Sequence, residues 1–141
     1  MSQENVELTY RAFDALNRRE FDAFLALMDD DVEVVPRMSA IEGKSGYRGH
    51  EGLRSWWNSL LDVFPDYSME LADVRDPGDL TFATIHARGH GAGSAAPTDQ
   101  AAWIVVRWRR GKSVWWRTFD DRAEALEAAG LSEQGAHVDR G

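Results

Sequence analysis

Apolar positions in the first half of the chain recur at helical spacing. Val6, Tyr10, Phe13 and Leu16 follow at intervals of four, three and three, which predicts an amphipathic helix over residues 3–18. Phe21, Phe24, Leu25 and Met28 make a second, shorter stripe that the acidic run Asp29–Asp31 ends as a solvated turn. "VEVVP" reads as a short strand stopped by Pro36, which cannot donate to a ladder. Residues 37–49 read as a loop rich in glycine and serine. A third helix then starts near His50, carries Leu53, Trp56, Trp57, Leu60 and Phe64 on one face, and closes at Pro65. Trp56 and Trp57 point about 100° apart, so one is expected to face the sheet and the other to meet a partner.

Beyond that point the period changes to two. Strands are predicted for "YSMELADVR", for Leu80 to about Ala92, for "QAAWIVVRWR" and for "SVWWRTF", with turns at "DPGD", "GSAAPT" and "RGK". A closing helix is expected over Asp121–Ala129, with Gly130 and Leu131 in the pattern of a glycine-terminated stop. The order predicts one α+β domain over residues 1–131, its helices packed on one face of an antiparallel sheet, and a frayed tail over 132–141. Gly89, Gly91 and Gly93 alternate, which would let the long strand bend sharply over the helices.

Alternation also sorts the polar groups. His86, Arg88 and His90 share a face with Phe82 and Thr84, while Ala83, Ile85 and Ala87 face the other way. The cationic row is either a pocket wall or a set of surface or interface hydrogen bonds. On the last strand Trp115, Arg117 and Phe119 oppose Trp116 and Thr118, and Trp103 opposes Trp108. His86 and His90 lie about 13 Å apart along a strand, too far to share one zinc ion unaided. No metal site is expected. His50 reads as a structural neighbour of the Tyr47–Gly49 turn.

Composition narrows the classes. The chain has 141 residues, enough for one core without a staple, and contains no cysteine, so disulfides and thiolate chemistry are excluded. A net charge of −8 has the wrong sign for a nucleic-acid backbone. No basic leader and no run of about 18 apolar residues occurs, so the expectation is a soluble, cytoplasmic protein without a membrane role. "GKS", at Gly43 and Gly111, lacks the glycine five residues earlier that a phosphate loop requires. No cofactor motif is present.

The element order, with "YRGHEGLRSWW" at Tyr47–Trp57 and "TFDDRAEALEAAGLSE" at Thr118–Glu133, resembles the nuclear-transport-factor-2-like superfamily, specifically its SnoaL-like branch. The resemblance implies a cone-shaped barrel: a strongly bent, mainly antiparallel sheet wrapped around N-terminal helices, with a short C-terminal helix. It also implies a homodimer and a deep pocket. The superfamily includes polyketide cyclases, ketosteroid isomerases, epoxide hydrolases, dehydratases and non-catalytic modules, so fold does not select the activity. The positions of the isomerase's base and aspartic oxyanion donor fall on Val35 and Ile104, and its tyrosine near Ala12. None of these side chains moves a proton, so that mechanism is not expected.

Alignment with the isomerases turns Trp115, Arg117 and Phe119 toward the pocket. Arg117 would then bind a carboxylate or enolate, or stack on Trp115. The other parity turns Trp116 and Thr118 inward and leaves Arg117 solvated. The candidate catalytic set is His86 as base, Arg117 as anion-orienting cation, and Asp120, since Asp121 is placed to cap the last helix. The candidate ligand-binding set is Phe13, Met28, Trp56, Leu60, Ile104, Trp115 and Phe119. The expected function is binding of a small hydrophobic carbonyl or hydroxylated compound, with cofactor-free proton transfer or hydration as its chemistry. The alternative is a non-catalytic dimeric module whose pocket is filled by its own side chains.

Overall fold

A computed structural model describes residues 2–35, 46–76, 80–90, 97–119 and 121–130. The elements run α1 (Ser2–Asn17), α2 (Phe21–Leu25), β1 (Met28–Val35), β2 (Tyr47–Arg48), α3 (Gly49–Val63), β3 (Ser68–Arg75), β4 (Leu80–His90), β5 (Pro97–Arg109), β6 (Lys112–Phe119) and α4 (Arg122–Ala128). Pro36, most of the loop after it, the interior of the "DPGD" turn, Gly91, Gly93, Asp120, Leu131 and the tail lie outside the described residues.

The expected α+β class holds. Six strands form one sheet in the order β2-β1-β6-β5-β4-β3. The sheet is mixed, because β1 runs parallel to β6 while every other neighbour is antiparallel. It is open, with β2 and β3 at its edges, and so is not closed into a barrel. Asp29–Asp31 form part of β1 rather than a turn. The Asp31 N–H donates to the Asp29 carboxylate at 3.0 Å, and the register against β6 shifts between Met28 and Glu33. A short acid bonding its own backbone makes this stretch of strand irregular instead of ending it.

The main core lies between α1, α2, α3 and the inner face of the sheet. Phe13, Leu16, Phe24, Leu53, Trp56, Trp57 and Leu60 meet Val34, Ile85, Ile104, Val106, Trp108 and Trp116 there. The helices are not confined to that face. α4 lies on the outer face, where Ala125, Leu126 and Ala129 cover Leu80, Phe82 and Val105. Asp121 caps α4 as expected, accepting the backbone N–H groups of Ala123 at 2.8 Å and Glu124 at 3.4 Å. Gly89 serves close packing: a Cβ there would sit 3.3 Å from both Phe64 Cβ and Tyr67 Cα, so the turn after α3 lies directly on β4.

A buried polar chain ties α1 to the sheet. Trp108 Nε1 donates to Thr81 Oγ1 at 3.1 Å, the Thr81 and Thr9 hydroxyl oxygens are 3.0 Å apart, and Thr9 Oγ1 donates to the Asn5 carbonyl at 2.8 Å. With the Thr9 proton on Asn5, the Thr81 hydroxyl must donate to Thr9, so every donor in the chain is used.

The β3–β4 ladder resolves the cationic row. Glu70 stands opposite His86 and Ser68 opposite Arg88. Arg88 also pairs with Glu70 at 3.3 Å. At the ladder's end Asp66 accepts the His90 backbone N–H at 2.7 Å and meets the His90 ring Nδ1 at 2.7 Å. His86, Arg88 and His90 therefore stand on the outer face beside Glu70 of β3 and Asp66 of the turn before it. The Asp66 carboxyl is held below its usual range, first by the His90 backbone N–H and then by the His90 ring.

Two outcomes are expected. Thr81→Val leaves the buried Trp108 N–H without its acceptor and lowers stability by about 1–3 kcal/mol in urea unfolding. The loss is smaller in a Trp108→Phe background, where no donor is stranded. For Asp66 the folded pKa lies below the ordinary value of 3.8, so its contribution is present above that pH and is lost as pH falls through the lowered value. Asp66→Ala therefore lowers the unfolding temperature near neutral pH, and the gap from wild type closes in the acid range below about 3.8.

Candidate functional site

The five inner members of the expected ligand-binding set converge. Phe13 of α1, Met28 of β1, Trp56 and Leu60 of α3, and Ile104 of β5 belong to one buried apolar cluster. At its centre is Trp116, whose side chain is fully buried. Its ring lies 5.1 Å from that of Phe13 and meets that of Phe24 edge-on at 5.6 Å. In the sequence Trp116 was an inner residue only under the second parity of β6, and the structure takes that parity.

The other two members of the set do not join them. Trp115 and Phe119 pack on the outer face with Trp103, against the cluster under α4. The cause is the two-residue period: Trp116 lies inward beside Val106 of β5 and Val34 of β1, so its neighbours on β6 point out. Arg117 is outward as well. Its guanidinium stacks on the Trp115 ring at 4.8 Å, and that of Arg107 approaches the same ring at 5.6 Å. The stacking expected of Arg117 is present, on the face away from the core.

His86 and Arg117 are not neighbours. Arg117 pairs with Val105 of β5, whereas His86 pairs with Ala101 of the same strand. Four residues along β5 and two strands across separate them by about 16 Å. The two do not form a single acid–base site. Asp120 lies outside the described residues.

Both tryptophans of α3 are buried, so neither is left for a partner. α2 and the turn after α3 wrap the second: the Trp57 ring stacks on Phe21 at 6.3 Å and meets Tyr67 edge-on at 6.4 Å. His50 bonds the Met28 carbonyl through Nε2 at 3.0 Å, which ties α3 to β1 rather than to the turn before it. A surface cleft of about 490 Å³ beside it is lined by Asp22, Asp29, Asp30, His50, Arg54 and Lys112. Its charges serve the fold: Arg54 pairs with Asp22 at 3.1 Å, and Lys112 Nζ donates to the Ala26 carbonyl at 2.7 Å.

Among the described residues, the buried polar side chains are Asn5, Thr9, Thr81 and Ser113, and none of them is ionisable. Ala12 and Ile104 are buried and apolar. The buried side chains of the described inner face are thus apolar or neutral, and none of them exchanges a proton near neutral pH. No group of three or more metal-binding side chains occurs among the described residues. No helix among them is long and apolar enough to cross a membrane.

Known structures share this architecture. A nuclear-transport-factor-2-like protein of unknown function from Burkholderia pseudomallei superposes with a TM-score of 0.75 at 16% identity, over 88% of this chain and 95% of that one. TerC, co-crystallised with polyporic acid, gives 0.74 at 17% identity over 90% and 98%. IdmH, a proposed polyketide cyclase from Streptomyces antibioticus, gives 0.71 at 21% identity over 89% and 98%. At these identities the likeness is one of fold. No curated protein matches the sequence. Residues 10–117 match the SnoaL-like domain, which is most of the chain, and the protein therefore belongs to the SnoaL-like domain family.

Proposed function

We propose that the protein binds a small hydrophobic carbonyl or hydroxylated compound between α1, α3 and the inner face of the sheet. The observation that carries this reading is the convergence of Phe13, Met28, Trp56, Leu60 and Ile104 on one apolar site from four elements. Concave sites lined by aromatic and aliphatic side chains with few polar groups are the usual form of small-molecule pockets. TerC, a structural neighbour, was crystallised with an organic acid, and IdmH is described as a polyketide cyclase, which agrees with this ligand class. Turnover by cofactor-free proton transfer or hydration would need an acid–base group beyond the described inner face, and Asp120 is the candidate. Two copies would meet over the outer face, where Trp103, Trp115 and Phe119 are half-buried.

A second reading, the self-filled module, is favoured by the centre of the core itself. Trp116, Phe13 and Phe24 pack ring against ring there, and each is almost wholly buried.

Thermal unfolding against a panel of steroids, terpenoid epoxides, aromatic polyketides and small aromatic acids separates the two. A ligand at a hundred times its dissociation constant should stabilise the protein by about 2.7 kcal/mol. The expected stabilisation is lost in Leu60→Phe, which crowds the inner site, and kept in Arg117→Ala and His86→Ala, which alter the outer face. A panel without a hit, repeated across pH, supports the module; a hit abolished by Arg117→Ala overturns the inner site.

A further inference from the structure

β3 is an edge strand, hydrogen-bonded to β4 on one side only. In an antiparallel pair alternate residues turn both backbone groups away from the neighbour, and at an edge these groups are a template for a further strand. The start of β3 does not leave them open. Asn17, the last residue of α1, accepts the Met69 N–H on Oδ1 at 2.9 Å and donates from Nδ2 to the Met69 carbonyl at 2.8 Å. Two residues earlier Arg19 donates to the Tyr67 carbonyl at 2.8 Å, and two earlier again to the Pro65 carbonyl at 3.2 Å. Pro65 and Tyr67 belong to the turn before β3, where the Tyr67 N–H donates to the Phe64 carbonyl at 3.0 Å, so Asn17 holds the strand itself and Arg19 the turn that leads into it.

The donor of two of these contacts is held in an unusual conformation. Arg19 has φ of 64°, in the left-handed region that non-glycine residues rarely adopt. Its side chain also donates to the Leu16 carbonyl at 3.2 Å and lies over the Trp57 ring at 5.5 Å. The chain reverses sharply at the end of α1, and that reversal brings Asn17 and Arg19 onto the edge.

We propose that Asn17 and Arg19 act as a surrogate strand, closing the start of β3 against pairing with β3 of a second copy. A second copy is the occupant the geometry favours. Two identical edges related by a two-fold axis meet antiparallel, which is how β3 already pairs with β4. The far end of β3 is guarded by other means. The register shifts between Leu71 and Asp73, and the charged Asp73 and Arg75, paired at 3.3 Å, follow. Beside Asn17 a groove of about 380 Å³ lies along β3, lined by the apolar Tyr10, Phe13, Met69 and Leu71 and by the acids Asp14 and Glu70, with Tyr10 49% exposed. Freed backbone groups on that edge would pair with their own kind.

The test compares wild type with Asn17→Ala, with the Asn17→Ala, Arg19→Ala double variant, and with Arg18→Ala. Arg18 serves as control because it pairs with Asp14 on the helix surface. Hydrogen exchange at the Met69 amide should speed up by about tenfold or more when Asn17 is lost, and stay unchanged in the control. Light scattering over a concentration series should show the double variant forming species larger than those of wild type. A folded variant whose Met69 amide exchanges at the wild-type rate, or whose mass follows wild type at every concentration, overturns the proposal. Should the double variant fail to fold, the same two readouts on Asn17→Ala decide it.

Discussion

The direction in which Trp116 points organises the sheet. Its indole is the largest fully buried side chain, and it fills the space between Phe13, Phe24 and the inner face. Truncating a buried aromatic of this size costs about 3–5 kcal/mol, a large part of the stability of one domain. A one-residue change of parity on β6 would lose that burial and bring Arg117 inside without a partner, which is costlier still. Because β6 lies between β1 and β5, the same choice sets the neighbouring faces. Val34, Trp116 and Val106 form one inner row; Glu33, Trp115 and Arg107 form an outer one. α4 then has a half-apolar outer face to cover, and Leu126 and Ala125 cover part of it.

Much of the fold was legible in the sequence because period and capping are local. The stripes of α1 and α3, the alternation of β4 to β6 and the Asp121 cap each depend on residues within a few positions of one another. What was not legible depends on tertiary contacts. β2 is two residues long and exists only because β1 lies beside it. The short stripe ending at Met28 fits a helix, but Met28 starts a strand whose acids fold onto their own backbone. Trp57 looked spare on a helical wheel because the wheel leaves out α2, which supplies Phe21 against its ring.

The candidate site divides in the same way. Helical positions such as Phe13, Trp56 and Leu60 were legible as inward-facing because an amphipathic helix has one apolar stripe. Strand positions were ambiguous, since β6 carries large apolar residues on both faces and both faces are covered. Alternation says that Trp115 and Trp116 differ; it does not say which is inside. The residues given chemical roles, His86 and Arg117, are both outer-face residues, and the outer face is where this chain keeps its charges. His86, Arg88 and His90 run beside Glu70 and Asp66, and Arg107 and Arg117 flank Trp115.

This separation constrains the ligand under the proposed reading. An ionised group entering an apolar interior without a partner loses its hydration uncompensated. The described inner face offers no charge to receive one, so the body of the ligand that lies there is neutral. The polar end of that face is internally satisfied. Trp108 donates to Thr81, Thr81 to Thr9, and Thr9 to the Asn5 carbonyl, so the donors of all three side chains are already spent. What the two hydroxyls have left to offer is acceptor capacity. The buried chain thus holds α1 to β4 and β5 with every donor paired.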